Sequence, residues 1–331
     1  MKQKQFKRRV MNVLVYLDSA DGRVKKPVYE AISYAKKLAQ SAGGQVHGLI
    51  LGSSEEANLK SLGKYGLDVA HHVDDTRFSS FDSRAYSMAI GRFVEANPCA
   101  HVVFAFNHRG KALAPRVAAR LDLTYVPGAM ALPAEDGTVV RGVNSGKAFA
   151  HVKANKSGMV LAVMSNAAGL LDESAEASLA SFDPGLGDDA FSVKVVKVEK
   201  MEGGIPLTEA DRVVSAGRGL KGPENWGMIE ELADTLNAAT ACSRPVSDVG
   251  WRPHHEHVGQ TGITVRPNLY FAIGISGAIQ HLAGVNQSRT IVVINTDPEA
   301  PFFKAADYGI VGDAFDVVPK LNAALKAHSA A

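Results

Sequence analysis

Cysteine is nearly absent. The 331 residues include two, Cys99 and Cys242, far apart and outside any metal-type pair. A disulfide framework is therefore excluded, and a reducing compartment fits. No apolar run approaches the ~18 residues that span a bilayer, so membrane insertion is not expected. A strong net charge of either sign is also missing. Lys and Arg number 36 and Asp and Glu 34, which leaves +2 and no reason to expect a nucleic-acid partner. The basic start carries Lys2, Lys4, Lys7, Arg8 and Arg9, but no apolar segment of signal-peptide length follows it. Asn12–Leu17 is too short and stops at Asp18. The segment also lacks serine and is short for a transit peptide. The expected location is the bacterial cytoplasm, in preference to the mitochondrial matrix. Internal repeats and low-complexity tracts are absent.

What is present is the composition of a globular protein, 46% hydrophobic and 21% charged. Its length predicts two domains. Short β-branched runs alternate with amphipathic stretches. Strands are predicted at Asn12–Leu17, Gln45–Leu51, Leu67–Val73, His101–Phe106 and Met159–Val163, and helices at Pro27–Ser41, Ser83–Ala96 and Lys111–Leu121. Tyr125–Lys153 reads as a small β meander, and Phe191–Val198 as a strand after the polar stretch Asp172–Asp189. Gly203-Gly204-Ile205-Pro206 is the best linker candidate. A second series follows, with strands at Arg212–Ala216, Leu269–Ile275, Thr290–Ile294 and Tyr308–Val311. Its helices are predicted near Trp226–Ala239, from Gly277, and at Phe315–Lys326. Alternation of this kind predicts α/β architecture with mostly parallel sheets covered on both faces.

The chemistry concentrates in the second series. Gly217-Arg218-Gly219-Leu220-Lys221-Gly222 fits G-x-G-x-x-G between a strand and a helix. The N–H groups of such a turn suit a phosphate, and Arg218 adds a permanent charge. A ligand-free Gly-rich turn is the plain alternative. The acidic residue that would hold a nicotinamide ribose about 20 positions on is absent; Thr240, Cys242 and Ser243 stand there. Tyr270 to His281 passes from a buried strand through Gly274 and Ser276 into a helix start, another source of free N–H donors. Gly274-x-Ser276-x-Ala278 departs from a nucleophile elbow at Ala278. Val258-Gly259-Gln260-Thr261-Gly262 is a turn bearing an amide and a hydroxyl. In Ser243-Arg244-Pro245 the proline predicts extended geometry at Arg244. That would aim a guanidinium outward, where it would favour negative charge on a nearby ring. His254-His255-Glu256-His257 invites a zinc reading, but adjacent residues on a loop rarely converge on one ion, so no metal is expected.

Several of these segments occur together and in order. Leu269 through Gln280-His281-Leu282-Ala283-Gly284, then Asn295, Asp297-Pro298-Glu299-Ala300-Pro301 and Ala306–Val311, resemble the signature of electron-transfer flavoprotein α subunits. Gly217–Lys221, Ser243-Arg244 and Val258–Gly262 match it as well. The resemblance is dense from Leu207 to Pro319 and thin before, where Leu113–Arg120 is the clearest part. Val293, Thr296, Pro245 and Trp251 depart from the usual pattern.

The resemblance implies two Rossmann-like parallel-sheet domains. Residues 1–203 would form an N-terminal α/β domain with the small β meander and the contact to a β subunit. Residues 204–331 would form an FAD-binding α/β domain. The heterodimer would carry electrons from flavin dehydrogenases to a quinone oxidoreductase without turning over a substrate of its own. AMP, or a second FAD in electron-bifurcating members, would lie in the β subunit. Arg218, Ser243, Val258, Gly259, Gln260, Thr261, Ser276, Gly277, Ala278, Ile279, Gln280, His281, Asn295, Asp313 and Ala314 would line the FAD. Arg244 would sit against the flavin ring, Thr261 at its redox-active nitrogen, and His281 at its pyrimidine carbonyl edge. A positive or donor group there favours an anionic semiquinone. The competing readings are the α subunit of an NADH-oxidising bifurcating complex, a nicotinamide-dependent dehydrogenase, and a flavin-free interaction subunit.

Overall fold

The computed structural model describes residues 11–144, 147–156, 158–165, 167–197 and 205–329. The chain divides into two compact units, the first built mainly on residues before 198 and the second mainly on residues from 205. Gly203 and Gly204 of the predicted linker, and the basic start, lie outside the described residues.

The first unit holds a nine-stranded sheet. Its strands in chain order are β1 (Val13–Tyr16), β2 (Val46–Leu51), β3 (Val69–Val73), β4 (His101–Ala105), β5 (Thr124–Ala129), β6 (Thr138–Val143), β7 (Ala148–Lys153), β8 (Met159–Val163) and β9 (Ser178–Ser181). The spatial order is β9-β3-β2-β1-β4-β8-β5-β6-β7. Pairing is parallel from β9 through to β5, and β6 then runs antiparallel to β5. Central strands β1, β4 and β8 are buried along their whole length, which is why they read as unbroken apolar runs. Helices α1 (Lys26–Gln40), α2 (Glu56–Ser61), α3 (Ser83–Ala96) and α4 (His108–Leu121) complete the unit. The caps are explicit: Asp82 accepts from the N–H groups of Arg84 and Ala85, and Asn107 accepts from that of Gly110.

Tyr125–Lys153 forms the expected small meander: β5, β6 and β7 are consecutive along the sheet, and β5 joins them to the main sheet by pairing parallel with β8. One expectation fails here. The strand expected at Phe191–Val198 is absent among its described residues. The strand lies instead in the polar stretch before it, where Ser178–Ser181 extends the edge of β3. A polar edge strand carries no apolar signal. Phe191 lies under the Arg77 guanidinium, and Asp82 accepts from Ser192 and Val193, so this segment is held by side-chain contacts and not by a ladder.

The second unit holds a five-stranded, wholly parallel sheet: β10 (Arg212–Ala216), β11 (Ala239–Cys242), β12 (Leu269–Ile273), β13 (Ile291–Asn295) and β14 (Tyr308–Val311). The order β11-β10-β12-β13-β14 reverses between β10 and β12. In open α/β sheets the ligand crevice lies outside the carboxyl ends of the strands at such a reversal. Helices α5 (Gly227–Leu236), α6 (Arg244–Asp248), α7 (Ile279–Val285) and α8 (Ala314–Ser329) connect and cover the strands. Ala239, predicted as helix, opens β11 because Asn237 turns left-handed and ends α5. Among the described residues no helix is long and apolar enough to cross a membrane.

Candidate functional site

The crevice at the β10/β12 reversal is a cleft of about 460 Å³. A second hollow of about 360 Å³ shares Gly274 and Asn295 with it, so the two form one extended groove within the second unit. Arg218, Ser243, Arg244, Val258, Gly259, Gln260, Thr261, Ser276, Ala278, Gln280, His281 and Asn295 line the first. Asp313 and Ala314 line the second. Gly277 and Ile279 face neither hollow. A Cβ on Gly277 would stand 2.5 Å from Phe302 N, and the backbone there is left-handed at φ +83°. Gly277 is therefore required by the turn and by the chain behind it.

The Gly-rich turn after β10 does not do what its motif suggests. The N–H groups of Gly217, Gly219, Leu220, Lys221 and Gly222 all donate to main-chain carbonyls. A Cβ on Gly217 would lie 2.3 Å from Gly274 O, and one on Gly219 would lie 2.7 Å from Gly274 Cα. The glycines let the chain leaving β10 pass against the chain leaving β12. Free donors stand opposite, after β12. None of the N–H groups from Ser276 through Gln280 donates to an acceptor among the described residues. This stretch, with the exposed Arg218 side chain, is the groove's provision for a phosphate or carbonyl oxygen.

Around the cleft the loops are pinned to one another. Val258 N–H donates to Cys242 O, Ile263 N–H to His257 O, and Gln260 N–H to Gln280 O at 2.7 Å. Below them Arg252 grips Glu256 through two hydrogen bonds of 2.8 and 2.6 Å and reaches Glu230 at 2.7 Å. Asn295 donates to Ile275 O at 3.0 Å and accepts from Asp297 N–H, so it braces the loop after β12 as well as lining the groove. Asp313 caps α8 through Phe315 N–H and lies 3.6 Å from Lys221 Nζ.

Arg244 is not extended. The extended residue is Ser243, at φ −75° and ψ 155°; Arg244 begins α6 and Pro245 occupies its first turn, where a missing N–H is harmless. The Arg244 side chain is 62% exposed and meets Asp248 at 3.3 Å. Such a pair is weak, so the guanidinium stays available to the cleft. His281 is buried, and burial pushes it down to about 4, with His257 adding to the effect. It is a neutral donor or acceptor at neutral pH and not a charge. Its Nε2 lies 2.9 Å from Tyr270 Oη, and a contact with the Val258 backbone opposes the downward shift.

The zinc reading of 254–257 does not hold. His254 Nδ1 lies 2.8 Å from Ser247 Oγ, whereas His257 turns into the cleft. Among the described residues no three metal-ligating side chains converge. The nucleophile-elbow reading fails too, because an elbow strains its serine, and the left-handed residues here are Gly274 and Gly277 on either side of Ser276. The sequence reading missed His257 and Lys221 as lining residues. His257 adjoins the Val258 turn, and that adjacency was the available signal. Nothing in the sequence marks the left-handed φ of +67° that turns Lys221 toward Asp313.

A sequence model described as the electron transfer flavoprotein domain matches residues 13–184, and one described as the electron transfer flavoprotein FAD-binding domain matches residues 206–286. The electron transfer flavoprotein subunit alpha of Bacillus subtilis is 37% identical over 318 residues, 95% of this chain and 97% of its own. The chain belongs to the electron transfer flavoprotein α-subunit family. Its namesake in Thermoanaerobacterium thermosaccharolyticum is 34% identical over 324 residues, covering 95% of this chain and 98% of its own. A lactate dehydrogenase (NAD(+),ferredoxin) subunit, LctC of Acetobacterium woodii, is 30% identical over 315 residues, 93% of this chain and 75% of its own. The second unit thus carries the family's FAD-binding domain. The groove fits that group: main-chain N–H groups after β12 are unused among the described residues, and Arg218 and Arg244 line the same cleft.

Proposed function

We propose that the chain is the α subunit of a heterodimeric electron carrier that holds FAD in the groove at the β10/β12 reversal. The observation that supports this most directly is the extended double hollow, floored by main chain and rimmed by donors and a cation. When bound, FAD supplies the electron-accepting ring, and the chain supplies position and electrostatics. The free N–H groups of Ser276, Ala278 and Gln280, with Arg218, hold its polar oxygens. Arg244 places positive charge at the rim, which favours negative charge arriving on the ligand. His281, kept neutral by burial, offers a hydrogen bond without adding charge. The pinned loops 257–263 and 276–280 keep these groups in register. Flavin dehydrogenases would be the donors and a quinone oxidoreductase the acceptor. A β subunit would be the constant partner, bearing AMP, in a bacterial cytoplasm.

The likeness to LctC supports a second reading, the α subunit of an NADH-oxidising bifurcating complex with a second FAD in the partner. A nicotinamide dehydrogenase is disfavoured, since β11 ends at Cys242-Ser243 where a ribose-binding carboxylate would stand. Flavin content and absorption of the chain co-purified with its β subunit test these readings. One FAD per heterodimer is expected. Two would favour the bifurcating complex, and none would reduce the likeness to fold.

A further inference from the structure

His257 lines the cleft, yet the roles assigned so far leave it idle. It joins the 254–256 turn to the Val258–Gly262 loop, and its ring packs against that loop. A Cβ on Gly259 would lie 3.4 Å from its Nε2, and one on Gly262 would lie 2.8 Å from its Nδ1. The two glycines thus leave the space that the imidazole fills. The ring makes no hydrogen bond among the described residues, and neither nitrogen is one of the unpartnered buried atoms sealed from solvent. A proton can therefore reach it without breaking an existing bond.

Few groups at the cleft are of a kind that changes charge near neutrality. Guanidinium groups such as Arg218 and Arg244, and a carboxylate such as Asp297, hold their charge across that range. His281, on α7, is held at about 4 by burial. Burial also pushes His257 down from the usual imidazole range; Asp248 of α6 opposes the shift, while Arg244 of the same helix and His254 add to it. The remaining groups around it are engaged elsewhere. Glu256 is gripped by Arg252, His254 lies 2.8 Å from Ser247 Oγ, and the Cys242 thiol, bridged to His257 through the main chain, is pushed up to about 12. His257 is therefore neutral at pH 7.5. A second positive charge beside Arg244 is unfavourable until a negative charge enters the cleft.

We infer that His257 is the cleft's proton-uptake site, taking one proton from solvent when an electron arrives on the bound ligand. This deepens the carrier reading and rests on it. The balance is one for one. An electron from a flavin dehydrogenase, or from dithionite in the test, adds one negative charge to the ligand. One proton passes from buffered water to a ring nitrogen of His257, and its uptake forms or breaks no bond of the ligand. The net charge of the cleft is then the same before and after. An opposite charge close by raises the proton affinity of such a group by about tenfold or more.

The test uses the full chain with its β subunit and FAD, titrated with dithionite to one electron per FAD between pH 8 and 7. At a fixed potential, the reduced-to-oxidised ratio of the wild type is expected to rise at least about threefold per pH unit, tenfold being the limit of one proton per electron. In His257→Gln, which keeps a polar side chain and cannot titrate, the ratio should be nearly independent of pH. A second measurement does not depend on the variant's folding. The reduced-minus-oxidised infrared spectrum of the wild type, with and without ¹³C-histidine, should show an imidazolium band appearing on reduction. A ratio with the same pH dependence in His257→Gln as in the wild type overturns the inference, as does a wild-type spectrum without that band. If the heterodimer takes up no FAD, the function reading and this inference fall together; if FAD binds and the ratio ignores pH, this inference falls alone.

Discussion

Replacing Gly217 with alanine distinguishes the two meanings of the Gly-rich turn. The backbone of Gly217 is extended, at φ −118°, so alanine meets no conformational barrier there. The obstacle is spatial. The new methyl would stand 2.3 Å from Gly274 O and 2.9 Å from Ile275 Cγ1, and the carbonyl belongs to main chain that cannot rotate away. A contact that close must be relieved by moving the end of β10 from the end of β12. Overpacking of this kind costs about 1–3 kcal/mol. The assay is urea unfolding of the flavin-free heterodimer, wild type beside Gly217→Ala, with FAD affinity measured separately. A midpoint lowered by that amount at unchanged slope is expected before any flavin is added. Arg218→Ala is the control: it removes an exposed side chain and should weaken FAD binding while leaving the flavin-free midpoint in place. If Gly217→Ala left that midpoint untouched and lost only FAD affinity, the turn would be a phosphate cradle after all, and the close-approach argument would be wrong.

Other outcomes follow from the same geometry. Arg244→Ala should lower the one-electron reduction potential by up to about 40 mV, the electrochemical equivalent of roughly 1 kcal/mol for a half-exposed cation, and change FAD affinity less; an unchanged potential in a reductive titration would remove Arg244 from its assigned place. Asp313→Ala should destabilise the chain by about 1 kcal/mol through loss of the α8 cap, whereas Asp313→Asn should keep the cap and lose only the contact with Lys221; thermal melts of both variants compare them. Acid should weaken the fold through its buried imidazoles. His281 and His71 are both pushed down to about 4, chiefly by burial, so in the unfolded chain they take up protons first, near 6.5. Stability is therefore full above 6.5 and falls as pH drops from there toward 4. His281 alone should account for about 2 kcal/mol between pH 6.5 and 5, and His281→Gln should flatten that part of a stability-versus-pH curve.

The parts of this fold that were legible in the sequence are those where one physical signal dominates. Val13–Tyr16 and Met159–Val163 are buried on both faces, and their apolar runs say so directly. Ser83–Ala96 shows its helical face and its Asp82 cap. The illegible parts depend on contacts between distant residues. Ser178–Ser181 becomes a strand because β3 offers an edge, and Ala239 leaves a helical pattern because Asn237 turns. At the site, the groove gathers most of the positions that residue types singled out. Their tasks were less readable. Glycines 217 and 219 serve packing, Asn295 braces a loop, Pro245 sits inside a helix it was expected to prevent, and the charge state of His281 depends on burial that no local pattern encodes.

The interlock of Gly217 and Gly219 with Gly274 also bears on how such a carrier could be retuned. The floor of the groove is peptide backbone, and its dipoles are the same whatever side chains the neighbouring positions bear. Substitution there can break the floor but has little to adjust. The adjustable groups are the few side chains at the rim. An engineer seeking a different working potential therefore has a short set of knobs, each acting on charge or on a hydrogen bond at the rim, mounted on a frame that tolerates almost no editing.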